Sequence, residues 1–233
     1  MATNKRIAKR QHRWLSSVET TGVVLSEPVL ADAGTFRTLD GKEKAAFKKA
    51  HDIWNLPKGS FEGNGQNTWI EFILREVLGL KDSDYWQVGA AIPPYLVVNL
   101  PDHQETIRPS RVLVDECSPV MLVLELPREQ SLDRVWLQEQ GRWKASPTTK
   151  TERLLRETGV ELALLTNGEA WRLVVASPSE TTSWMTWTAQ TWSDDLFTLA
   201  AFKNLLGETR FFAGSRDQVI LELIRQSRER QLD

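Results

Sequence analysis

The run Val120-Met121-Leu122-Val123-Leu124 constrains the fold most, because five consecutive apolar residues fit a strand that is buried on both faces. A second apolar run, Arg111 to Asp115, precedes it across a short turn at Glu116 to Pro119. Two apolar runs joined by a short turn predict a β-hairpin. The sequence therefore predicts a sheet in which the Val120 to Leu124 run is a central strand.

The clearest local patterns follow this hairpin. Ser146-Pro147 combines an N-cap serine with proline at the first helical position, and Gly159 is expected to end that helix. Strands are predicted over residues 161–166 and 169–176, joined by Asn167-Gly168, which supplies the two positive-φ positions of a type I′ turn. This order of helices and strands predicts an α/β fold, a mixed sheet flanked by helices.

Other elements are predicted from capping patterns and apolar spacing. Residues 18–45 are predicted to be irregular or weakly paired. Residues 41–54 favour a helix. The remaining predictions are a capping box at Thr68–Glu71 with a helix ending at Gly79, a strand over Tyr95–Asn99, a helix capped by Thr198 and ending at Gly207, and a capping box at Ser215–Gln218 that opens the last helix. No stop signal ends that last helix, so we expect a piece of a longer protein. The predicted divisions are a basic arm and extension over 1–54, an α/β domain over 55–214, and the start of a linker helix over 215–233.

Composition limits the function classes. The 233 residues are 41% hydrophobic and 26% charged with a net charge of −2, which argues against a uniformly basic nucleic-acid-binding surface. The single cysteine, Cys117, excludes an intrachain disulfide and a CxxC metal site, which fits a reducing cytoplasm. No apolar run approaches the roughly 18 residues of a membrane span, so no membrane partner is expected.

Basic and aromatic residues suggest two further surfaces. Residues 1–17 carry five cationic side chains, which fit either a solvated arm or an arm that contacts phosphates: Lys5, Arg6, Lys9, Arg10 and Arg13. Ten tryptophans occur at no fixed period. We interpret those at 184, 187 and 192 as core or partner-facing residues rather than platforms for stacking bases.

Three carboxylates are candidates for a Mg²⁺-dependent hydrolytic site: Glu71, Asp115 and Glu125. Each also has a structural explanation. Glu71 completes the predicted capping box, Asp115 ends a hairpin strand, and Glu125 ends an apolar strand as either a solvated residue or the relic of a metal site. Asp115 is expected about 16 Å along the strand from Ser110, too far to complete a site there.

Several segments together resemble the N-terminal nuclease-type region of fused restriction–modification adenine-N6 DNA methylases, the type IIG enzymes and the large methylases of DISARM-like phage-defence systems. The resemblance covers roughly two thirds of the chain, and its most specific part is the run from Glu152 to Val174. The matching segments are Trp69-Ile70-Glu71 with Leu78-Gly79, Arg108-Pro109, Val120 to Pro127, Ser146-Pro147 with Glu152 to Val160, Leu164 to Val174, and Leu205-Leu206 to Arg210-Phe211-Phe212.

This resemblance implies a PD-(D/E)xK, restriction-endonuclease-like fold with a degenerate catalytic motif. Active members hold the metal with an Asp after Pro and a Glu-x-Lys on the next strand. Here Ser110 stands at the Asp position, and Glu125-Leu126-Pro127 stands at the Glu-x-Lys position. The substitutions remove one metal-binding carboxylate and the catalytic ammonium, and only Glu125, with Glu71 as a second candidate, is left to hold a metal.

The expected function is therefore a non-catalytic module that helps a bacterial defence methylase engage DNA or assemble with other defence-system subunits. This fragment then needs no cofactor, and the parent protein would use S-adenosylmethionine in a region beyond residue 233. Two alternatives stay open. One is a Mg²⁺-dependent endonuclease with a rearranged site built from Glu71, Asp115 and Glu125, and the other is a protein–protein docking domain.

Overall fold

A computed structural model describes residues 13–34, 36–56, 65–81, 86–136, 143–178, 180–212 and 218–232. The chain divides into two compact units. The first comprises residues 1–19, 25–80 and 187–233, and the second comprises residues 20–24 and 81–186. These unit limits do not coincide with the divisions at 54/55 and 214/215 that the sequence suggests.

Nine strands are described. They are β1 (Glu19–Thr21), β2 (Trp86–Val88), β3 (Val98–Leu100), β4 (Glu105–Ile107), β5 (Arg111–Asp115), β6 (Ser118–Glu125), β7 (Leu162–Thr166), β8 (Ala170–Val175) and β9 (Ser183–Thr188). Seven form one sheet in the order β1-β9-β8-β7-β6-β5-β2, while β3 and β4 pair separately. The β6–β7 pair is parallel, whereas β2–β5, β5–β6 and β7–β8 are antiparallel. The sheet is therefore mixed, as predicted.

The described α-helices are α1 (Glu27–Asp32), α2 (Gly41–Trp54), α3 (Gly65–Phe72), α4 (Pro147–Thr158), α5 (Ala189–Trp192), α6 (Leu196–Leu206) and α7 (Ile220–Leu232). In the second unit, α4 lies against β7 and β8. Its Leu154 and Leu155 share a buried core with Leu122, Leu124 and Val174 of the sheet. The architecture is α/β with helices flanking a mixed sheet, which confirms the coarse prediction. No helix among the described residues has both the length and the apolar character to cross a bilayer.

The central strand and the helix start are confirmed. Strand β6 lies between β5 and β7, and Met121 to Leu124 are all buried. The Ser146 side chain accepts a hydrogen bond from the Thr149 amide at 3.2 Å, Pro147 is the first residue of α4, and Gly159 ends that helix with a φ of 73°. The N-cap serine satisfies an amide that the helix itself cannot.

Two predicted helix starts are wrong. Helix α3 begins at Gly65, so Thr68 lies within the helix and cannot be its N-cap. Helix α6 begins after Asp195, whose carboxylate accepts a hydrogen bond from the Phe197 amide at 2.9 Å, and Thr198 lies in its first turn. In both cases the helix begins about one turn before the threonine that the sequence pattern designates as its N-cap. The capping box predicted at residues 215–218 lies largely outside the described residues.

The turn and strand predictions also need correction. Asn167 is absent from the positive-φ residues, and Gly168 alone of the pair has a positive φ, of 86°, so the connection is not a type I′ turn. The Asn167 side chain instead accepts hydrogen bonds from the amides of Glu169 and Ala170. Residues 94–96 form a 3₁₀ turn, and strand β3 begins only at Val98, later than predicted.

Aromatic side chains fill the core of the first unit. Trp14 stacks on Trp187 with ring centroids 6.4 Å apart, and Phe202 contacts both Trp187 and Trp192. Trp14, Trp187 and Trp192 are each fully buried. Completely buried indoles offer no face to a nucleic-acid base, so Trp187 and Trp192 serve as core residues.

Candidate functional site

Ser110 and Glu125 meet at one end of the large sheet. Ser110 directly precedes β5, and its amide donates to the Val123 carbonyl at 2.8 Å. The Ser110 hydroxyl accepts a hydrogen bond from the Glu125 amide at 3.0 Å. The two positions that the resemblance designates for metal-binding carboxylates are therefore neighbours, although 15 residues separate them in the chain.

Glu125 forms an ion pair with Arg111, the first residue of β5. Arg111 lies opposite Val123 in the register, which places Glu125 at the diagonal position on the same face of the sheet. The Arg111 Nε donates directly to the Glu125 Oε1, and the two side chains are 12% and 16% exposed. The Glu125 carboxylate at this end of β5–β6 is thus engaged by a guanidinium.

The segment after Glu125 is fixed to the same end of the sheet. Pro127 is exposed, and the 128–133 segment that follows it packs back against the β7–β8 turn. The Asn167 Nδ2 donates to the Gln130 carbonyl at 2.9 Å, and the Thr148 hydroxyl donates to the Leu132 carbonyl at 2.8 Å. The position to which the resemblance assigns a catalytic lysine therefore holds a proline in a well-anchored chain segment.

This donor set does not suit Mg²⁺. A hard divalent cation binds anionic carboxylate oxygens, usually one or two from the protein together with water. At the Ser110–Glu125 end one donor is a neutral hydroxyl that already accepts an amide hydrogen bond, and the other is a carboxylate whose charge is compensated by Arg111. A metal bound there would have to share the Glu125 carboxylate with the guanidinium.

Asp115 and Glu71 do not join Glu125 in one cluster of the second unit. Asp115 pairs with Ser118, seven positions before Glu125 on β6, which corresponds to about 23 Å at about 3.3 Å per residue. Glu71 belongs to α3 of the first unit and accepts a hydrogen bond from the Arg75 Nε at 2.7 Å. Within the described ranges, no group of three or more His, Cys, Asp or Glu side chains could hold a metal ion.

The basic arm is largely outside the described residues, because Lys5, Arg6, Lys9 and Arg10 all precede residue 13. Arg13 is the first residue of a 3₁₀ turn over Arg13–Ser17. In the second unit, Arg108 is exposed and lies two residues before Ser110. Arg108 is therefore a solvent-exposed cationic residue close in sequence to the candidate site.

A buried arginine network centred on Arg172 of β8 was not predicted from the sequence. Arg172 is 1% exposed. Its guanidinium engages both carboxylate oxygens of Asp133, and it donates to the Thr148 and Thr186 hydroxyls at 2.7 and 2.8 Å. The hydrogen bonds from Arg172 lower the pKa of Asp133 below its usual value. A single charged residue within the apolar run from Trp171 to Ala176 was the available signal.

Comparisons with known protein families, with curated proteins and with solved structures find no match for this chain. The candidate site therefore rests on its own geometry and on the segments that carry the resemblance.

Proposed function

We propose that this chain is a non-catalytic nuclease-like module of a bacterial restriction or phage-defence DNA methylase, and that it helps the larger protein engage DNA or assemble. The observation that carries the proposal is the 3.0 Å contact between Ser110 and Glu125 at one sheet end. The resemblance assigns the metal-binding carboxylates to these two positions, and their adjacency supports a nuclease-like module that lacks the residues that perform the chemistry.

Loss of catalysis follows from three side chains. Ser110 supplies no negative charge, Pro127 supplies no ammonium to polarise a water molecule, and the Glu125 carboxylate is held by Arg111. Hydrolysis of a phosphodiester by a metal-bound water needs the metal and its carboxylate ligands in place. The residues at these three positions fail to meet that requirement, so restoration of one residue alone would not rebuild the site.

Engagement of DNA is supported by positive charge near the same sheet end. Arg108 is exposed, and arginine is suited to phosphate recognition because its planar guanidinium presents several donors. The overall net charge of −2 means that any such interaction is local. Binding should therefore be modest and strongly weakened by salt.

The first experiment is a titration of the chain against labelled duplex and single-stranded DNA, with Mg²⁺ and with a chelator, followed by anisotropy and by gel analysis of the strands. We expect salt-sensitive binding and intact strands under both conditions. Arg108→Ala should reduce the slope of the logarithm of DNA affinity against the logarithm of salt concentration by the equivalent of about one phosphate contact. The matched control is Arg153→Ala, since Arg153 is an exposed arginine of α4 that pairs with Glu157.

One result would reject the non-catalytic role, and another would reject the role in DNA engagement. Strand cleavage that Glu125→Ala abolishes would establish an active nuclease with an unconventional site. Absence of binding to either DNA form at low salt would instead favour a docking domain whose partner is a protein.

A further inference from the structure

A cavity of about 710 Å³ lies in the second unit, between α4, β9 and the segment that precedes β9. Its volume is within the range of about 300–1,000 Å³ that is typical of ligand sites. Strands β8 and β7 lie between β9 and β6 in the sheet, so this cavity is distinct from the Ser110–Glu125 end. We call it the β9 cavity, and its lining includes Thr21, Glu152, Arg156, Glu180, Thr182 and Trp184.

The arginine in the wall of the β9 cavity, Arg156, is fully engaged by the protein. Its Nε donates to the Glu152 Oε1 at 3.2 Å. Its two terminal nitrogens donate to three carbonyls within the segment 177–180 and to the Thr182 hydroxyl. These five hydrogen bonds equal the five N–H donors of a guanidinium. Arg156 therefore has no donor left for a phosphate or a carboxylate, and the cavity does not suit an anion.

The charge that remains for a ligand is negative. The Glu152 Oε1 accepts hydrogen bonds from Arg156 and Thr182, whereas its Oε2 has no hydrogen-bond partner among the described residues. The Glu152 side chain is 35% exposed, so a ligand can approach it. Glu180, also in the lining, is exposed, and two carboxylates with one guanidinium give the lining a net charge of −1. The β9 cavity therefore favours a cation.

Trp184 contributes an apolar wall and an unsatisfied donor. The Arg172 guanidinium lies 5.3 Å from the centroid of the indole ring, and its charge is paired with Asp133. The Trp184 Nε1 is buried and has no hydrogen-bond acceptor within the described part of the chain. A buried donor without an acceptor costs free energy, so a ligand that supplies a carbonyl oxygen is favoured.

The β9 cavity also lies beside an edge of the sheet. Strand β1, which contributes Thr21 to the lining, is the last strand in the order of the seven-stranded sheet, and all three of its residues are exposed. Exposed edge strands accept extended peptides through backbone hydrogen bonds. This position favours a segment of another protein over a small free amine.

We propose that the β9 cavity binds an arginine side chain of a partner protein. The guanidinium pairs with the Glu152 Oε2, its aliphatic stem packs on Trp184, and a carbonyl of the same segment accepts the indole N–H. A peptide brings a cation and a carbonyl together, whereas a polyamine has no acceptor. This site does not depend on the proposed role in DNA engagement, because none of its contacts involves DNA.

The experiment follows the indole N–H signals of the intact chain by NMR during titration with a blocked Gly-Ser-Arg-Ser-Gly peptide. Trp184→Phe identifies the signal of Trp184. We expect that signal to move downfield and to saturate, because its N–H gains an acceptor. The same peptide with neutral citrulline in place of arginine should bind about fivefold or more weakly, since hydrogen bonds between charged groups are stronger than those with one neutral partner.

Matched variants test the carboxylate. Glu152→Gln keeps an oxygen for Arg156 and Thr182 but removes the charge, so the affinity for the arginine peptide should fall by about fivefold or more. Glu157→Gln removes a charge from the same helix outside the cavity and should leave the affinity unchanged. Thr21→Lys places a competing cation at an exposed position and should also weaken binding. Thermal unfolding establishes that each variant is folded.

Several outcomes would overturn the proposed site. These are no binding by the parent chain, equal affinity for the arginine and citrulline peptides, and unchanged affinity in folded Glu152→Gln or Thr21→Lys. Spermidine that binds as tightly as the peptide would replace the protein partner by a polyamine. The DNA titration is a separate measurement, so failure of this site leaves the proposed function standing, and failure of DNA binding leaves this site standing.

Discussion

The Arg172–Asp133 pair allows one prediction to be worked out in detail. Asp133→Asn leaves the fully buried Arg172 guanidinium facing a neutral amide. Removal of one partner from a buried ion pair costs about 3–5 kcal/mol. The Asp133 side chain is 57% exposed, so solvent screens the pair, and we expect the free energy of unfolding to fall by about 2 kcal/mol instead.

Urea denaturation at neutral pH measures this loss, with Glu157→Gln as the matched control. Glu157 forms an exposed pair with Arg153 on α4, and its substitution should cost less than about 0.5 kcal/mol. If Asp133→Asn costs no more than Glu157→Gln, the buried guanidinium does not depend on this carboxylate, and the reasoning is refuted.

Acid titration tests the same pair independently. Because Arg172 lowers the pKa of Asp133 in the folded state, the pair stabilises the protein fully above the unfolded pKa of about 3.9. This stability is lost as the pH falls from that value through the lower folded pKa. The parent chain should therefore lose more stability than Asp133→Asn in this acid range. Parallel curves for the two proteins would contradict the assignment.

Three further predictions concern glycine packing, a turn and metal binding. In chemical denaturation, Gly207→Ala should destabilise the protein by about 1–3 kcal/mol, because the new Cβ would lie 2.5 Å from a helix carbonyl. The control Gly41→Ala should be neutral or stabilising, because its Cβ would meet nothing within 4 Å. Asn167→Ala should cost about 2 kcal/mol in the same assay, since it removes the bond to the Gln130 carbonyl and leaves turn amides unsatisfied; an unchanged denaturation midpoint would show that water replaces these bonds. Added Mg²⁺ should leave the thermal midpoint unchanged, because an ion that does not bind the native state cannot stabilise it, and a rise that Glu125→Gln abolishes would contradict this.

Local signals predicted the elements whose patterns are complete within a few residues. Ser146-Pro147 and Gly159 define both ends of α4, and the apolar run in β6 identifies the central strand, because capping and burial act on neighbouring residues. Thr68 shows the limit of this approach. The spacing of a capping box also occurs inside helices, and the sequence alone does not show that α3 begins earlier, at Gly65.

The contacts of the candidate site depend on register and on distant residues. The sequence indicated that Ser110 and Glu125 matter, but the ion pair between Arg111 and Glu125 follows from the hairpin register, which contains an irregularity between Leu113 and Val114. The partner of Arg172 lies 39 residues away in an irregular segment. Periodicity carries no information about such a pair, although a lone arginine in a buried strand indicates that a partner must exist.

The two-part division of the chain has a consequence for its synthesis. In the first unit, Ser26 bonds to Ser227 across 201 positions, Arg37 bonds to Asn204 across 167, and Glu43 bonds to Lys203 across 160. As the chain leaves the ribosome, the second unit has all of its residues once position 186 emerges, whereas helices α1 to α3 still lack the segments that cover them. Their apolar faces stay available to chaperones until residues 187–232 arrive, so the later of these two segments determines when the earlier one can fold.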